Sequence, residues 1–352
     1  MFQGVYGTTD SQVDTIFFLF SSVLLKKYHS YNRINFLDVY SLCVAYPEPM
    51  ADRLYSETRK FLEEHVNATL TKVKAGGEQS LLSNYHGAWQ EFSKGIDYLH
   101  MLYSYLNNQH IRRQKVTEAE LNYGSLVIDH AETMREIGEL GLDIWRRQMI
   151  EPLREELVRL LLDGIRYDRL GSVTGSTGST QFQSDATIKG VISSFVEVEE
   201  YKKKGNLDLY EEIFESSFLK ATGEYYKEEA AKLKQDGPIS HYMERVIQRI
   251  ESENVRSRKF LWPSSYTKVT FECEQRMVGE HLPFLHSECK HMVEKEAKHD
   301  LANMYRLLKP IAGAQQELLD AVQGHIKHKG LEAISGLKGE SVNYIHFYII
   351  SA

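Results

Sequence analysis

Apolar residues along most of this chain recur every three or four positions, the spacing that gathers them on one face of a helix. Between Pro49 and Gly76, Leu54, Thr58, Phe61, Leu62, Val66, Leu70 and Val73 keep that period, and Gly76-Gly77 supplies the stop. Leu82, Tyr85, Trp89, Phe92, Ile96, Leu99, Leu102, Tyr103 and Leu106 carry it for about seven turns, with a break predicted near Gly95 and hence two helices in tandem. Ile137, Leu140 and Ile144 open a further run through Leu153, Leu157, Leu160, Leu161 and Ile165, which Pro152 should bend or split. In Leu209–Ala230 the apolar stripe is aromatic: Tyr210, Ile213, Phe214, Phe218, Tyr225 and Tyr226 recur, with Glu211, Glu212, Glu215, Lys220, Lys227 and Glu228 between them. Such a stripe packs one helix against others and places no residue for chemistry, so function is expected in surfaces.

Seven prolines leave long windows dominated by strong helix formers, and the whole chain is expected to be all-α. Leu170–Ala186, rich in Gly, Ser and Thr, reads as a flexible surface loop without the Gly-Lys-Ser/Thr ending of a phosphate-binding loop. Helices should resume at Ile188 and continue, broken at Gly237-Pro238 and Trp262-Pro263, to about Leu308. Leu99–Leu106 and Leu301–Leu308 echo each other in the spacing of Leu, Met and Tyr, some 200 residues apart. That echo suits a helical repeat of about 100 residues and an elongated rod.

Composition narrows the picture. At 352 residues and 42% hydrophobic the chain can fill two or three cores, since single cores stop growing near 250 to 300 residues. A formal charge of -7 supplies no general attraction to nucleic acid or anionic membranes, so neither is an expected partner. Three widely spaced cysteines, Cys43, Cys273 and Cys289, point to a reducing compartment rather than a disulfide framework. Ile16–Leu25 is too short to cross a bilayer and lacks the flanks of a signal peptide, which makes it a buried first helix. Asn67-Ala68-Thr69 fits a glycosylation acceptor only by chance.

Candidate chemistry is sparse. In Glu280–His291, His286 and Cys289 stand at i and i+3, a geometry zinc allows, and His281 is close in sequence. Neither H-E-x-x-H nor paired C-x-x-C is present, so these are expected to be polar residues of an ordinary helix, with no metal, cofactor or catalytic group. The acidic pairs Glu155-Glu156, Glu199-Glu200, Glu211-Glu212 and Glu228-Glu229 read as solvated helix faces.

Several ordered blocks resemble the cullin family, in its cullin-2 branch. They are Tyr40–Pro49 with Arg53-Leu54-Tyr55, Trp145-Arg146 leading into Glu151-Pro152-Leu153, Gly190–Val196, Phe214-Glu215-Ser216 to Tyr226, Arg258–Leu261 and Ser264–Val269, with Cys273, His286, Cys289 and Asp300–Leu308 beyond. The resemblance covers about Phe36 to Gly330. It implies a non-catalytic scaffold of a ubiquitin ligase, cytoplasmic and nuclear, whose N-terminal stalk of five-helix repeats holds a substrate-receptor adaptor. The divisions it implies are repeat 1 over 34–140, repeat 2 over 141–255 and an incomplete repeat 3 over 256–335, with 1–33 matching poorly and 336–352 divergent.

In the cullin-2 branch the adaptor is elongin C, paired with elongin B and a receptor of the von Hippel-Lindau type. The resemblance draws its contact surface from the second and fifth helices of the first repeat, here Asn35, Phe36, Val39 and Tyr40 with Asn107, Gln109, His110 and Ile111. No counterpart of the C-terminal cullin region is recognisable, so a RING partner is expected only where that domain accompanies the stalk. The alternative from another class is a generic helical-repeat tether without affinity for elongin C.

Overall fold

The computed structural model describes residues 36–113, 134–174, 184–199 and 205–335, and every regular element among them is helical. The apolar run at Ile16–Leu25 and the tail 336–352 lie outside the described residues. The chain divides into two compact units, 1–214 and 215–352.

In the first unit α1 spans Phe36–Cys43, α2 Ala51–Ala75 and α3 Glu78–Leu102. The predicted face of α2 is the buried one, with Leu54, Thr58, Leu62, Val66 and Val73 inside. It ends at Gly76, and Gly77 follows at φ 69°, a conformation that glycine adopts without a Cβ clash. The break expected near Gly95 does not occur. Gly95 is buried within an unbroken α3, where Phe92, Ile96 and Leu99 pack on either side of it. A glycine costs a helix interior only about 1 kcal/mol, less than that burial returns. The helix gives way later, at Tyr103, and leads into a π turn over Leu106–Ile111.

α4, Ile137–Trp145, passes through a second π turn at Arg146–Ile150 into α5, Glu151–Thr174. Pro152 stands at the second position of α5, so the wide turn precedes the residue that lacks an amide donor. Helix also continues over Leu170–Thr174, where a loop was expected; 175–183 lie outside the described residues. Ser184 then caps α6, Asp185–Glu197, by accepting the Thr187 amide at 3.1 Å.

Trp145 anchors the core of this unit. Its ring stacks on Phe92 at 4.6 Å and meets Trp89 and Tyr85 at 5.5 and 5.9 Å. Tyr85 reaches Ser194 of α6 through its hydroxyl at 2.9 Å, and burial pushes its pKa up to about 12. Gly190 permits this approach, because a Cβ there would meet the His86 ring at 2.0 Å. Glu199 departs from the solvated face expected of it. It is buried, accepts from Arg146 at 3.1 Å, and takes the Asn206 side-chain amide and the Leu209 backbone amide at 3.2 Å each.

The second unit contains α7 (Ser216–Gln235), α8 (Ile239–Phe260), α9 (Tyr266–Met277), α10 (Leu282–His286), α11 (Cys289–Glu294), α12 (Lys298–Leu308) and α13 (Gln316–Ser335). The breaks at Gly237-Pro238 and Trp262-Pro263 stand where expected, while α13 continues the helical pattern beyond Leu308. The aromatic stripe straddles the boundary between units: Tyr210, Ile213 and Phe214 are buried in the first, Phe218 and Tyr226 in the second.

Two carboxylates of this unit turn inward, one of them Glu215, which the sequence pattern sets between apolar positions. Glu215 is buried against Ser265 at 2.6 Å and Lys268 at 2.7 Å. Glu253 is buried with Arg256 at 2.5 Å and accepts the Tyr226 hydroxyl at 2.7 Å. The echo between Leu99–Leu106 and Leu301–Leu308 holds in burial at Leu102 with Met304 and at Leu106 with Leu308, whereas Tyr103 is fully buried and Tyr305 is exposed.

Candidate functional site

α1 is short and two-faced. Val39, Leu42 and Cys43 are buried, which leaves Tyr40 and Ser41 outward. Tyr40 remains 39% exposed although its ring meets that of Tyr105 edge-on, with centroids 4.8 Å apart. Tyr105 immediately precedes the π turn, so this pair joins α1 to the second predicted element.

Within the π turn the side chains divide. Gln109 is exposed and His110 partly so, while Asn107 and Ile111 are buried. Asn107 serves the fold: its side-chain oxygen accepts the Ile137 amide at 3.0 Å and its amide donates to the His100 carbonyl at 3.3 Å. It thereby satisfies a free donor at the start of α4. His110 lies 2.8 Å from Asp52 at the first turn of α2, which fixes the imidazole at the rim.

Of the eight residues expected at an adaptor surface, Tyr40, Gln109 and His110 thus share an accessible edge. Val39, Asn107 and Ile111, which the resemblance places on that surface, are buried and have no outward side chain. Asn35 and the side chain of Phe36 lie outside the described residues. The structure adds exposed apolar neighbours that the sequence reading passed over: Val44 one turn beyond Tyr40, and Met101, 65% exposed, one turn before Tyr105. For Met101 the signal is in the sequence, since it falls off the buried period of α3.

His281, His286 and Cys289 of Glu280–His291 have structural partners. His286 places one ring nitrogen 2.8 Å from the Ala314 carbonyl and the other 2.7 Å from Glu317. His281 packs edge-on to Tyr242, and burial, with Lys234 nearby, lowers its pKa. Burial pushes the Cys289 thiol up to about 11, away from the thiolate a metal or nucleophile role requires. Among the described residues no three His, Cys, Asp or Glu side chains are grouped to hold a metal, and no helix is long and apolar enough to cross a membrane.

A family model described as the cullin alpha solenoid domain matches residues 19–346. The chain is 34% identical to Cullin-2 of Caenorhabditis elegans over 320 residues, covering 87% of this chain and 39% of that one. It is 27% identical to Cullin-1 of Dictyostelium discoideum over 303 residues, 85% of this chain and 37% of the relative. With human Cullin-4A the identity is 23% over 297 residues, 83% of this chain and 34% of the relative. The chain therefore spans less than two fifths of the length of these relatives. A family model that takes in nearly the whole sequence, together with helices in every described region, establishes that the chain belongs to the cullin family.

Proposed function

We propose that this chain acts as a scaffold of a cullin-RING ubiquitin ligase, without catalytic residues of its own, and that its first unit receives an elongin C-type adaptor. Elongin B and a substrate receptor of the von Hippel-Lindau type complete that partner, in the cytoplasm and nucleus. The observation that carries the reading is the Tyr40–Tyr105 pair. It joins the two elements from which the family resemblance draws the adaptor surface and leaves the Tyr40 ring accessible, with exposed Gln109 and partly exposed His110 on the π turn that follows Tyr105. Accessible aromatics backed by a rigid neighbour are the usual anchors of protein interfaces.

In this reading the five-helix repeats over 34–140, 141–255 and 256–335 hold the adaptor face in place. A RING partner belongs to it only where a C-terminal cullin region accompanies the stalk. The test is calorimetric titration of the chain with an elongin B–elongin C–receptor complex. Saturable binding at one site is expected, weakened about tenfold or more by Tyr40→Ala with unchanged helical circular dichroism. No binding by the parent chain overturns the reading, as the tether alternative requires.

A further inference from the structure

In the second unit α8 and α9 are joined by Leu261–Ser265 and run antiparallel, with the Thr270 hydroxyl donating to the Asn254 side-chain oxygen at 2.5 Å. α12 lies beside α8, tied to it by Arg306–Glu251 at 2.6 Å and His299–Glu244 at 3.3 Å. Between the three helices is a groove of about 260 Å³ with Ile247, Ile250 and Leu307 among its apolar walls. That volume holds several waters or the end of one long side chain.

One polar group in the groove is left over. Glu251 is matched by Arg306, but the Glu274 carboxylate has no hydrogen-bond or ion-pair partner among the described residues, and burial raises its pKa. A half-buried carboxylate beside aliphatic walls complements a cation on an aliphatic stem. Val255 follows Glu251 by four residues and Phe271 precedes Glu274 by three, so each continues one wall of the groove. Because the helices are antiparallel, both stand at the same end, where they are 69% and 57% exposed. An acidic pocket thus opens onto an apolar ledge.

We infer that this groove is a docking pocket for an arginine or lysine side chain of a partner protein, whose neighbouring apolar residue rests on Val255 and Phe271. The inference uses residues of the second unit alone and stands independently of the adaptor reading.

The experiment follows the methyl resonances of Ile247, Ile250 and Leu307 while the protein is titrated with acetyl-Leu-Arg-Leu-amide. A second titration uses the same tripeptide with citrulline, which keeps the shape of arginine but replaces one NH2 of the guanidinium with a carbonyl oxygen and so removes the charge. Saturable shifts are expected with arginine, weakened about threefold to fivefold with citrulline, the size of effect a partly exposed ion pair supports. Glu274→Gln should remove that preference, and Phe271→Ala should weaken the tripeptide while leaving acetyl-arginine-amide unaffected. Equal shifts from the arginine and citrulline peptides overturn the inference. So does the absence of shifts from either, as when another segment of this chain or a second copy fills the groove. The citrulline comparison is made on the parent protein, so it does not depend on any variant folding.

Discussion

Glu253 and Arg256 illustrate what a single side chain can carry in this molecule. Both are buried, one turn apart on α8, and the carboxylate also accepts the Tyr226 hydroxyl from α7. Removing one member of a buried pair costs more than the pair contributes, because the remaining charge keeps its desolvation penalty. Glu253→Ala is therefore expected to destabilise the protein by about 3–5 kcal/mol, whereas Glu253→Leu with Arg256→Met together should cost much less. Urea denaturation of the two variants checks this; equal losses would show that the ion pair itself, rather than the orphaned arginine, sets the cost. Such pairs were not legible in the sequence. A helical period sorts apolar from polar positions, and it has no means of marking Glu215, Glu199 or Glu253 as charges that meet a donor from another element. Asn107 is a parallel case: the resemblance implies a surface position, while its hydrogen bond to the Ile137 amide holds it inside.

Helices as elements were largely readable, because burial repeats with the backbone period. α2 ends at the glycine pair, and the proline breaks fall between α7, α8 and α9. The π turns were not, since a turn widened by one residue leaves composition unchanged; yet one of them carries Gln109 and His110, and another precedes Pro152. The seams between helices have a pH signature. His65 of α2 has ring neighbours on both sides, Phe61 at 6.1 Å and Phe92 at 6.4 Å, and burial followed by Lys72 lowers its pKa against the opposing pull of Glu91. His86 of α3 is lowered by burial, with Glu197 opposing. A folded-state pKa below the unfolded value means that the unfolded chain binds more protons. The stability these residues contribute is complete above about pH 6.5 and is lost as pH falls below it. Melting temperature should decline from pH 7.5 to 5.0, and His65→Gln should flatten the slope. An unchanged slope in that variant would remove His65 as a cause.

At the scale of the whole chain, family membership was legible from the ordered blocks running from Tyr40–Pro49 to Asp300–Leu308, whereas the division after Phe214 was not, because the aromatic stripe continues through it. The two surfaces proposed here fall on opposite sides of that division. Tyr40, Tyr105, Gln109 and His110 belong to the first unit, and Glu274, Val255 and Phe271 to the second. They share no residue, and substitutions at sites without shared partners act additively. Glu274→Gln should thus leave elongin C affinity within about twofold of the parent while abolishing the preference for arginine over citrulline. Tyr40→Ala should do the reverse, weakening the adaptor about tenfold and leaving the peptide titration unchanged. Both titrations on the same two preparations decide the matter. A variant that impairs both would indicate that the surfaces are coupled, and the reading of two separate contact faces on one scaffold would then fail.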